Sequence, residues 1–308
     1  MAIFRKFRFW IGVLLCLQWI ASSAHAQGDG IRGREYFPNS VLTTHDGREL
    51  RFFDDVIRSK TVLISFIYAS CGSSCPLETA RLKRVAALLG PRLGSDIHFY
   101  SITIDPGNDT PEVLRAYHSR YRLGSGWTLL TGRKADLLLI QKRLGLLSRE
   151  QEAGNLQEHD LNVIAGNQQT GQWVRRSHLE NAKVLAGLLE GLQKGPSATR
   201  YASDYRLART RVERPSRGEE LYFSRCIDCH SLGEGDGLGP DLAGIAQRRP
   251  RAWLKRWLKE PDRMLKEGDP SLLALKARFN DVVMPNLKLD DADVSALLEF
   301  LDKQKGAT

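Results

Sequence analysis

Hydrophobic and polar positions change their spacing along the chain, and the changes predict where sheet and helix form. Residues 61–70 (TVLISFIYAS) and 97–104 are near-continuous apolar runs, which is typical of strands buried on both faces of a sheet. Residues 76–89 repeat apolar positions at helical spacing, and alternating runs at 41–53 and 161–176 predict hairpins. The predicted helix carries an apolar stripe of Leu77, Leu82, Val85 and Leu89.

The order of these and the remaining elements predicts the fold of residues 31–192. A helix capped by Thr110, a strand at 127–130, and helices at 134–147 and 179–192 complete the pattern. Hairpin, β-α-β-α-β-α, hairpin and helix in succession indicate a mixed sheet with helices on both faces. We therefore predict an α/β, thioredoxin-like domain with extra strands.

The pattern changes again after residue 192. Residues 193–216 are rich in Gly, Pro, Ser and Arg and are interpreted as a basic linker. Residues 217–308 contain no strand pattern and predict a small all-α domain. Its helices are expected near 218–224, 251–259, 270–279 and 290–303.

The first 26 residues have the form of a secretory signal peptide. Basic residues precede the apolar run 9–20, and Ala24-His25-Ala26 resembles a cleavage site. A retained membrane anchor is the alternative, but the run is shorter than the roughly 20 residues that span a bilayer. We expect export to the periplasm with the signal removed.

The charge of the chain limits its expected partners. The formal net charge is +9, and removal of three basic residues with the signal leaves about +6. A basic exported protein is not expected to meet nucleic acid. An acidic protein partner or an anionic membrane surface fits better, and a merely solvated basic surface is the alternative.

Four of the five cysteines fall into two close pairs, and the second pair is the most specific motif. In CIDCH (226–230), Cys226 and Cys229 are spaced to attach both vinyl groups of a haem, and His230 is placed to ligate its iron. A zinc knuckle or a dithiol motif would be alternatives. Zinc would need two further ligands, but residues 231–308 contain neither Cys nor His. One covalent haem c is predicted.

Two methionines follow the motif and compete for the sixth position of the iron. Met264 lies in a charged helical segment, where a partly exposed methionine is expected. Met284 precedes Pro285, which fixes an extended loop that would present the thioether across the haem. We predict Met284 as the distal ligand.

The segment 217–304 resembles the class I cytochrome c family. The resemblance rests on Gly218, Tyr222, Phe223, CIDCH, the stretch 239–242 (GPDL), Met284-Pro285 and Phe300. It implies that the carbonyl of Pro240 orients His230.

The first pair, Cys71 and Cys75 in YASCGSSCPLE, lies between a buried strand and the amino terminus of a helix. A structural disulfide, thiol exchange and metal binding are all compatible with it. The helix terminus is expected to lower thiol pKa values. Oxidoreductases of this fold carry a proline opposite the thiols, whereas this chain offers His159. Two thiolates and an imidazole suit Cu(I), and zinc with a water is the alternative.

Residues 40–192 resemble the Sco/SenC family of copper-binding thioredoxin-fold proteins. The resemblance rests on FIYASCGSSCP, TIDPGNDTP (103–111) and EHDLNVIAG (158–166). It implies copper ligation by Cys71, Cys75 and His159, although Glu158 replaces the family's usual aspartate and Gly72 stands where many members have proline. The family helps to assemble the copper centre of cytochrome oxidase, and thiol-disulfide activity has also been proposed for it.

Other ionisable residues are expected to be structural. Asp105 and Asp109 are interpreted as shaping the turn from strand to helix, and His45 is expected in water at a hairpin tip. His98, His118 and His178 are interpreted as packed or solvated histidines.

Together these features predict a periplasmic Sco-type copper metallochaperone, with one copper ion, fused to a monohaem c-type electron-transfer domain. Its partner would be the copper-bearing subunit of cytochrome oxidase or another periplasmic redox protein. The alternative is a haem-coupled thiol-disulfide oxidoreductase acting through Cys71 and Cys75. A flexible linker would reach roughly 25–30 Å, so the haem domain is expected to reach the thiols and exchange electrons with them. The alternative is co-delivery, in which the haem domain only docks on the partner and brings the chaperone with it.

Overall fold

Seven strands form one mixed sheet in the order β2-β1-β5-β4-β3-β6-β7 in the computed structural model, which describes residues 33–72, 74–194 and 215–304. The strands are β1 (Val41–Thr44), β2 (Glu49–Arg51), β3 (Thr61–Ile67), β4 (Ile97–Thr103), β5 (Trp127–Gly132), β6 (Asn162–Asn167) and β7 (Gln172–Ser177). The central strands β3, β4 and β5 are parallel, and the outer pairs are antiparallel. The predicted signal 1–26 and residues 195–214 of the predicted linker lie outside the described residues.

Helices cover both faces of this sheet. They are α1 (Ser74–Leu89), α2 (Pro111–Arg120), α3 (Lys134–Leu144), α4 (Arg149–Glu152) and α5 (Ala182–Gln193). All seven residues of β3 are buried, because apolar clusters lie on both of its sides. Helices α1, α2 and α5 contribute to one cluster and α3 to the other. The predicted α/β thioredoxin-like fold is confirmed.

Several predicted boundaries differ from the structure for local reasons. Strand β2 ends at Arg51 rather than residue 53, because a wide helical turn at Phe52–Ile57 buries Phe52 and Phe53 together. Helix α3 ends at Leu144 because Gly145 adopts a left-handed conformation with φ of 73°. Thr110 caps α2 as predicted, its side chain accepting a hydrogen bond from the Val113 amide.

All regular secondary structure in residues 215–304 is helical, as predicted for the second domain. The helices are α6 (Arg217–Leu221), which continues into a wide helical turn at Tyr222–Cys226, and α7 (Ile245–Arg248), α8 (Arg251–Lys259), α9 (Pro261–Lys266), α10 (Pro270–Arg278) and α11 (Asp291–Asp302). The short helix α7 was not predicted, since it is too short to establish a helical period, whereas α9 corresponds to the charged helical segment expected around Met264. None of the helices in the described ranges is long and apolar enough to span a bilayer.

The first and last helices of this domain cross at a glycine. A Cβ atom on Gly218 would lie 2.0 Å from the carbonyl oxygen of Ala296 and 2.7 Å from the Cβ of Phe300. Replacing Gly218 with alanine should therefore force α6 and α11 apart and destabilise the domain by about 1–3 kcal/mol, the usual cost of overpacking. Chemical unfolding followed by circular dichroism measures this loss.

Gly187 in α5 is a matched control, because a Cβ there would meet nothing within 4 Å. Gly187→Ala should be neutral or stabilising by up to about 1 kcal/mol, as expected for a helical glycine in open space. Equal stability of Gly218→Ala and the native chain would contradict the close crossing.

Candidate redox and metal site

Cys71 and Cys75 meet at the amino terminus of α1, at the end of the parallel sheet. The two cysteines are not joined by a disulfide, and both are buried. The Cys75 amide donates to the sulfur of Cys71 at 3.3 Å. This is the helix-terminus arrangement predicted from the spacing, with Cys71 as the sulfur that accepts the hydrogen bond.

The two thiols differ electrostatically. A hydrogen bond with Cys71, followed by burial, raises the pKa of the Cys75 thiol well above its ordinary value. The expectation that the helix terminus lowers both pKa values is wrong for Cys75. Cys75 is 0 % exposed, and a second charge beside the Cys71 sulfur is unfavourable, so the proton stays on Cys75.

This asymmetry predicts the order of alkylation. At pH 7 iodoacetamide should modify Cys71 before Cys75, because the thiolate is the nucleophile and the raised pKa keeps Cys75 protonated. Raising the pH should increase modification of Cys75, as its thiolate fraction grows. Peptide mass spectrometry of timed samples measures the order. Denatured protein, in which both cysteines should react alike, is the control, and earlier labelling of Cys75 in the folded protein would contradict it.

The TIDPGNDTP motif positions the loop that carries Cys71. Asp109 is 1 % exposed, and its carboxylate accepts from the Ala69 amide at 3.1 and 3.2 Å and from the Thr103 hydroxyl. Asp105 accepts from the Asn108 side chain at 2.9 Å. Both aspartates therefore shape the turn, as predicted, and Asp109 also fixes the backbone two residues before Cys71.

His159 precedes β6, which runs antiparallel to β3, so it lies at the same end of the sheet as the thiols, and it is only 6 % exposed. Its Nδ1 donates to the carbonyl of Leu156 at 2.8 Å, which places the lone pair on Nε2. Nε2 is buried and has no hydrogen-bond partner among the described residues. A buried nitrogen of this kind is costly unless a ligand uses it, so it fits a metal-binding role.

Tyr68 lies between His159 and the cysteines. Its ring packs edge-on against the His159 imidazole with centroids 5.7 Å apart. Burial, the neighbouring Cys71 charge and a hydrogen bond with Cys71 raise the pKa of Tyr68. Within the described ranges, no three His, Cys, Asp or Glu side chains are grouped closely enough to hold a metal ion. Ligation by Cys71, Cys75 and His159 together would therefore require Tyr68 or the loops to move, and it stays a prediction.

Four other histidines do not join this site. His45 was expected in water, but its ring stacks on His118 with centroids 4.2 Å apart, and its Nδ1 accepts from the Leu129 amide. His118 donates to the carbonyl of Trp127 at 3.1 Å. His98 stacks on a tyrosine ring, and burial lowers the pKa of all three imidazoles. His178 is half-buried, and burial followed by the charge of Arg81 lowers its pKa.

The second site is built around the CIDCH segment. The His230 amide donates to the carbonyl of Cys226 at 2.9 Å, which closes a helical turn and places the motif's side chains together. His230 Nδ1 donates to the carbonyl of Pro240 at 2.8 Å. That contact leaves the lone pair on Nε2, the nitrogen that would ligate the iron, and it fits the orienting role that the resemblance implied for Pro240. Burial raises the pKa of Cys226 and of Cys229 to about 12.

A partly open cavity in this region contains the groups needed to hold a haem. Cys226, Cys229, His230 and Met284 all line it. Gly239 allows the close approach of the imidazole, since a Cβ there would lie 2.5 Å from the His230 ring. The donor set, the space and the oriented histidine fit a covalently attached haem.

The two methionines have different surroundings. Met284 is half-buried on the cavity wall, the position expected of a distal ligand. Met264 is 1 % exposed and packs in the core of the second domain, so the expectation of a partly exposed side chain is wrong. The charged residues next to Met264 in the sequence lie on the exposed face of α9. Met264 itself lies on the face of the helix that packs against the core.

Two functional features were not predicted from the sequence. Glu78 is 1 % exposed in α1 near the thiols, and burial followed by the Cys71 charge raises the pKa of its carboxyl well above the usual range. Arg81, also in α1, forms an ion pair with Asp228 of CIDCH at 2.6 Å. The sequence pattern that could have identified Glu78 is a glutamate at a core-facing position of the helix. The pairing of Arg81 with Asp228 spans 147 residues, so no local sequence pattern could have revealed it.

The chain combines two domains. The first is thioredoxin-like and carries two thiols at its first long helix, and the second is helical and carries CIDCH. This combination defines a redox protein built from two known classes of domain. Residues 34–185 match the SCO1/SenC family model, and residues 215–305 match the Cytochrome c family model. The chain is a Sco-type thioredoxin-fold protein fused to a cytochrome c domain. Such a cytochrome domain implies haem c, and the SCO1/SenC family binds copper.

Individual similar proteins each match part of this chain. The chain is 29% identical over 101 residues to a protein of Stutzerimonas stutzeri that is predicted to bind copper, covering 33% of this chain and 48% of that protein. It is 28% identical over 93 residues to the SCO1 protein homolog of Bacillus subtilis (strain 168), covering 30% and 47%. A SCO1/SenC family lipoprotein from Bacillus anthracis str. Ames has a TM-score of 0.44 at 22% identity, covering 51% of this chain and 94% of that one. The chain spans about half the length of the curated relatives it matches.

Proposed function

We propose that this protein is an exported, periplasmic copper carrier that delivers copper to the copper-bearing subunit of cytochrome oxidase or to another periplasmic redox protein. One copper ion would be the cargo of each chain, and one covalent haem c would be resident in the second domain. The proposal of export is supported by the signal-like sequence of residues 1–26, and the proposal of copper binding is supported by the site at Cys71, Cys75 and His159.

The single observation that supports copper binding is the buried Nε2 of His159, which has no hydrogen-bond partner among the described residues and lies across the Tyr68 ring from Cys71 and Cys75. Sulfur and imidazole ligands suit Cu(I), which is stable in low-coordinate sites. The Cys71 sulfur already accepts a hydrogen bond at the helix terminus. We therefore expect Cys71 to be the first of the ligands to bind the copper ion. The name of the Stutzerimonas stutzeri relative supports the same metal.

Copper binding is tested by changing His159. His159→Ala should weaken Cu(I) binding by on the order of 100-fold or more, since even partners outside the ligand shell are worth roughly 10–100-fold. Competition with a chromophoric Cu(I) chelator measures the affinity, and metal analysis measures the stoichiometry. His98→Ala removes an imidazole elsewhere in the sheet and should change neither. Full affinity in His159→Ala would overturn the ligand assignment.

The second domain would serve as the electron-transfer partner of this site. Cys226 and Cys229 would attach haem c, and His230 and Met284 would ligate its iron. When bound, the group supplies a one-electron carrier. Pro240 orients His230, and the residues lining the cavity are mostly apolar.

A haem-coupled thiol-disulfide oxidoreductase is the second candidate. It is supported by the contact between Cys71 and Cys75, in which one sulfur accepts and the other stays protonated, because a nucleophilic and a resolving thiol need this asymmetry. Copper-free reduced protein should then reduce a model disulfide, and His159→Ala should leave that activity intact. Activity abolished by bound copper together with tight copper binding would favour the carrier.

A further inference from the structure

The haem cavity is lined by both domains. Pro76 and Leu77, the residues directly after Cys75, and Tyr121, which follows α2, share its lining with Cys229 and His230 of the second domain. We propose that the thioredoxin-fold domain forms one wall of the haem site, so that the two domains are a docked pair rather than bodies that meet only through a linker. This inference does not depend on copper binding.

Apolar packing across the boundary supports the docking. Leu77 packs against the core cluster of the second domain, although its spacing on α1 predicted a place in the core of the first. In return, Leu238 belongs to the core cluster of the first domain, and Cys229 and Val282 pack against that cluster. Each domain therefore buries side chains of the other, which is the main source of stability in an interface.

A buried ion pair adds specificity to the contact. Arg81 Nε lies 2.6 Å from the carboxylate of Asp228, and both side chains are only 10 % exposed. The guanidinium of Arg81 also donates to the carbonyl of Ser224 at 3.0 Å. Removing one partner of such a pair leaves a buried charge without compensation, which is strongly unfavourable. Arg81 and Asp228 therefore act as a latch between the domains.

A second polar contact lies beyond this latch. The Asn280 side chain donates to the carbonyls of Ser119 and Arg120 at 3.0 and 3.1 Å. These carbonyls lie at the carboxyl end of α2, where the Ser119 carbonyl also accepts from the Arg122 amide at 3.1 Å. The apolar contacts, the latch and Asn280 hold the second domain against the ends of both α1 and α2.

The docked contact places the thiols next to the haem site. Pro76 lines the cavity and is joined to Cys75 by one peptide bond. Asp228 stands between the two attachment cysteines. The same short segments that carry the thiols and the haem therefore also hold the domains together, and the flexible visiting expected from the sequence is replaced by a fixed contact.

Charges placed at Leu77 test the shared wall in the full-length holoprotein. Leu77→Glu should favour the ferric state and Leu77→Lys the ferrous state, each by several-fold to tenfold in the ferric-to-ferrous ratio at a fixed ambient potential. A tenfold change corresponds to about 59 mV for a one-electron couple. Leu88→Glu and Leu88→Lys are the matched controls, because Leu88 lies on the same helix but is 46% exposed, and they should leave the ratio unchanged.

The opposite signs separate a local charge effect from disrupted folding, which would shift both Leu77 variants in the same direction. Shifts of equal sign, no shift at Leu77, or equal shifts at Leu77 and Leu88 would each overturn the shared wall. Spectroelectrochemical titration without copper makes this measurement, so its failure is distinguishable from failure of copper binding.

The latch has its own test in solution. Arg81→Glu faces Asp228 with a like charge, so the domains should separate and the radius of gyration from small-angle X-ray scattering should rise. Arg115→Glu makes the same charge change at an exposed position of α2 and should leave the radius unchanged. An unchanged radius in Arg81→Glu would overturn the latch.

Discussion

Met284→Ala should lower the haem reduction potential and open the iron to external ligands, whereas Met264→Ala should do neither. Met284 is on the cavity wall that His230 also lines, and a thioether ligand stabilises ferrous iron. Axial ligands tune haem potentials over roughly 0.8 V, so loss of the thioether is a large change.

Met264 supplies the matched control, because we expect it to stabilise the core of the domain, whereas we expect Met284 to ligate the iron. Met264 is 1 % exposed in the domain core, so truncation to alanine should cost about 2–5 kcal/mol of unfolding free energy while the spectrum stays native. Met284→Ala should show new binding of imidazole or carbon monoxide. Ligand binding in Met264→Ala but not in Met284→Ala would exchange the two roles.

The sequence predicted the sheet and its helices because their patterns are local. The unbroken apolar run of β3 and the helical spacing of α1 each report burial directly. The departures come from interactions that a period does not record. Gly145 ends α3 through its backbone conformation, and Phe52 and Phe53 bury together in a turn that alternation would not allow.

The sequence located the segments that carry both candidate sites but not the electrostatics of those sites. CIDCH and the CGSSCP segment identify themselves by spacing, and Asp109 was correctly interpreted as a turn residue. The raised pKa of Cys75 was missed, because a helix terminus predicts lower values while the neighbouring Cys71 and burial act in the opposite direction. The distance between His159 and the thiols, with Tyr68 between them, depends on tertiary packing.

The domain contact is the largest feature that the sequence did not reveal. An apolar stripe predicts that a residue is buried but not which domain buries it, and Leu77 packs against the second domain. The partners Arg81 and Asp228 are individually ordinary surface residue types. Only their placement across 147 residues makes them a latch.

Docking of the domains predicts that electron exchange between them is intramolecular. Protein with reduced haem, mixed with Cu(II), should show haem oxidation at a rate independent of protein concentration. The cytochrome domain gives up one electron, and Cu(II) at Cys71 and Cys75 is reduced to Cu(I), which the two sulfur ligands stabilise. Stopped-flow absorbance measures the rate, and the double variant Cys71→Ser/Cys75→Ser should lose the fast phase.

Arg81→Glu separates this account from simple co-delivery of the two domains to a common partner. With the latch opened, exchange should slow by at least about tenfold, because a tether alone supplies an effective concentration only in the millimolar range. Arg115→Glu should keep the native rate. A rate that scales with protein concentration, or that persists without the two thiols, would contradict intramolecular exchange. Co-delivery would then explain the fusion, since it requires the two domains to share a chain but not to face each other.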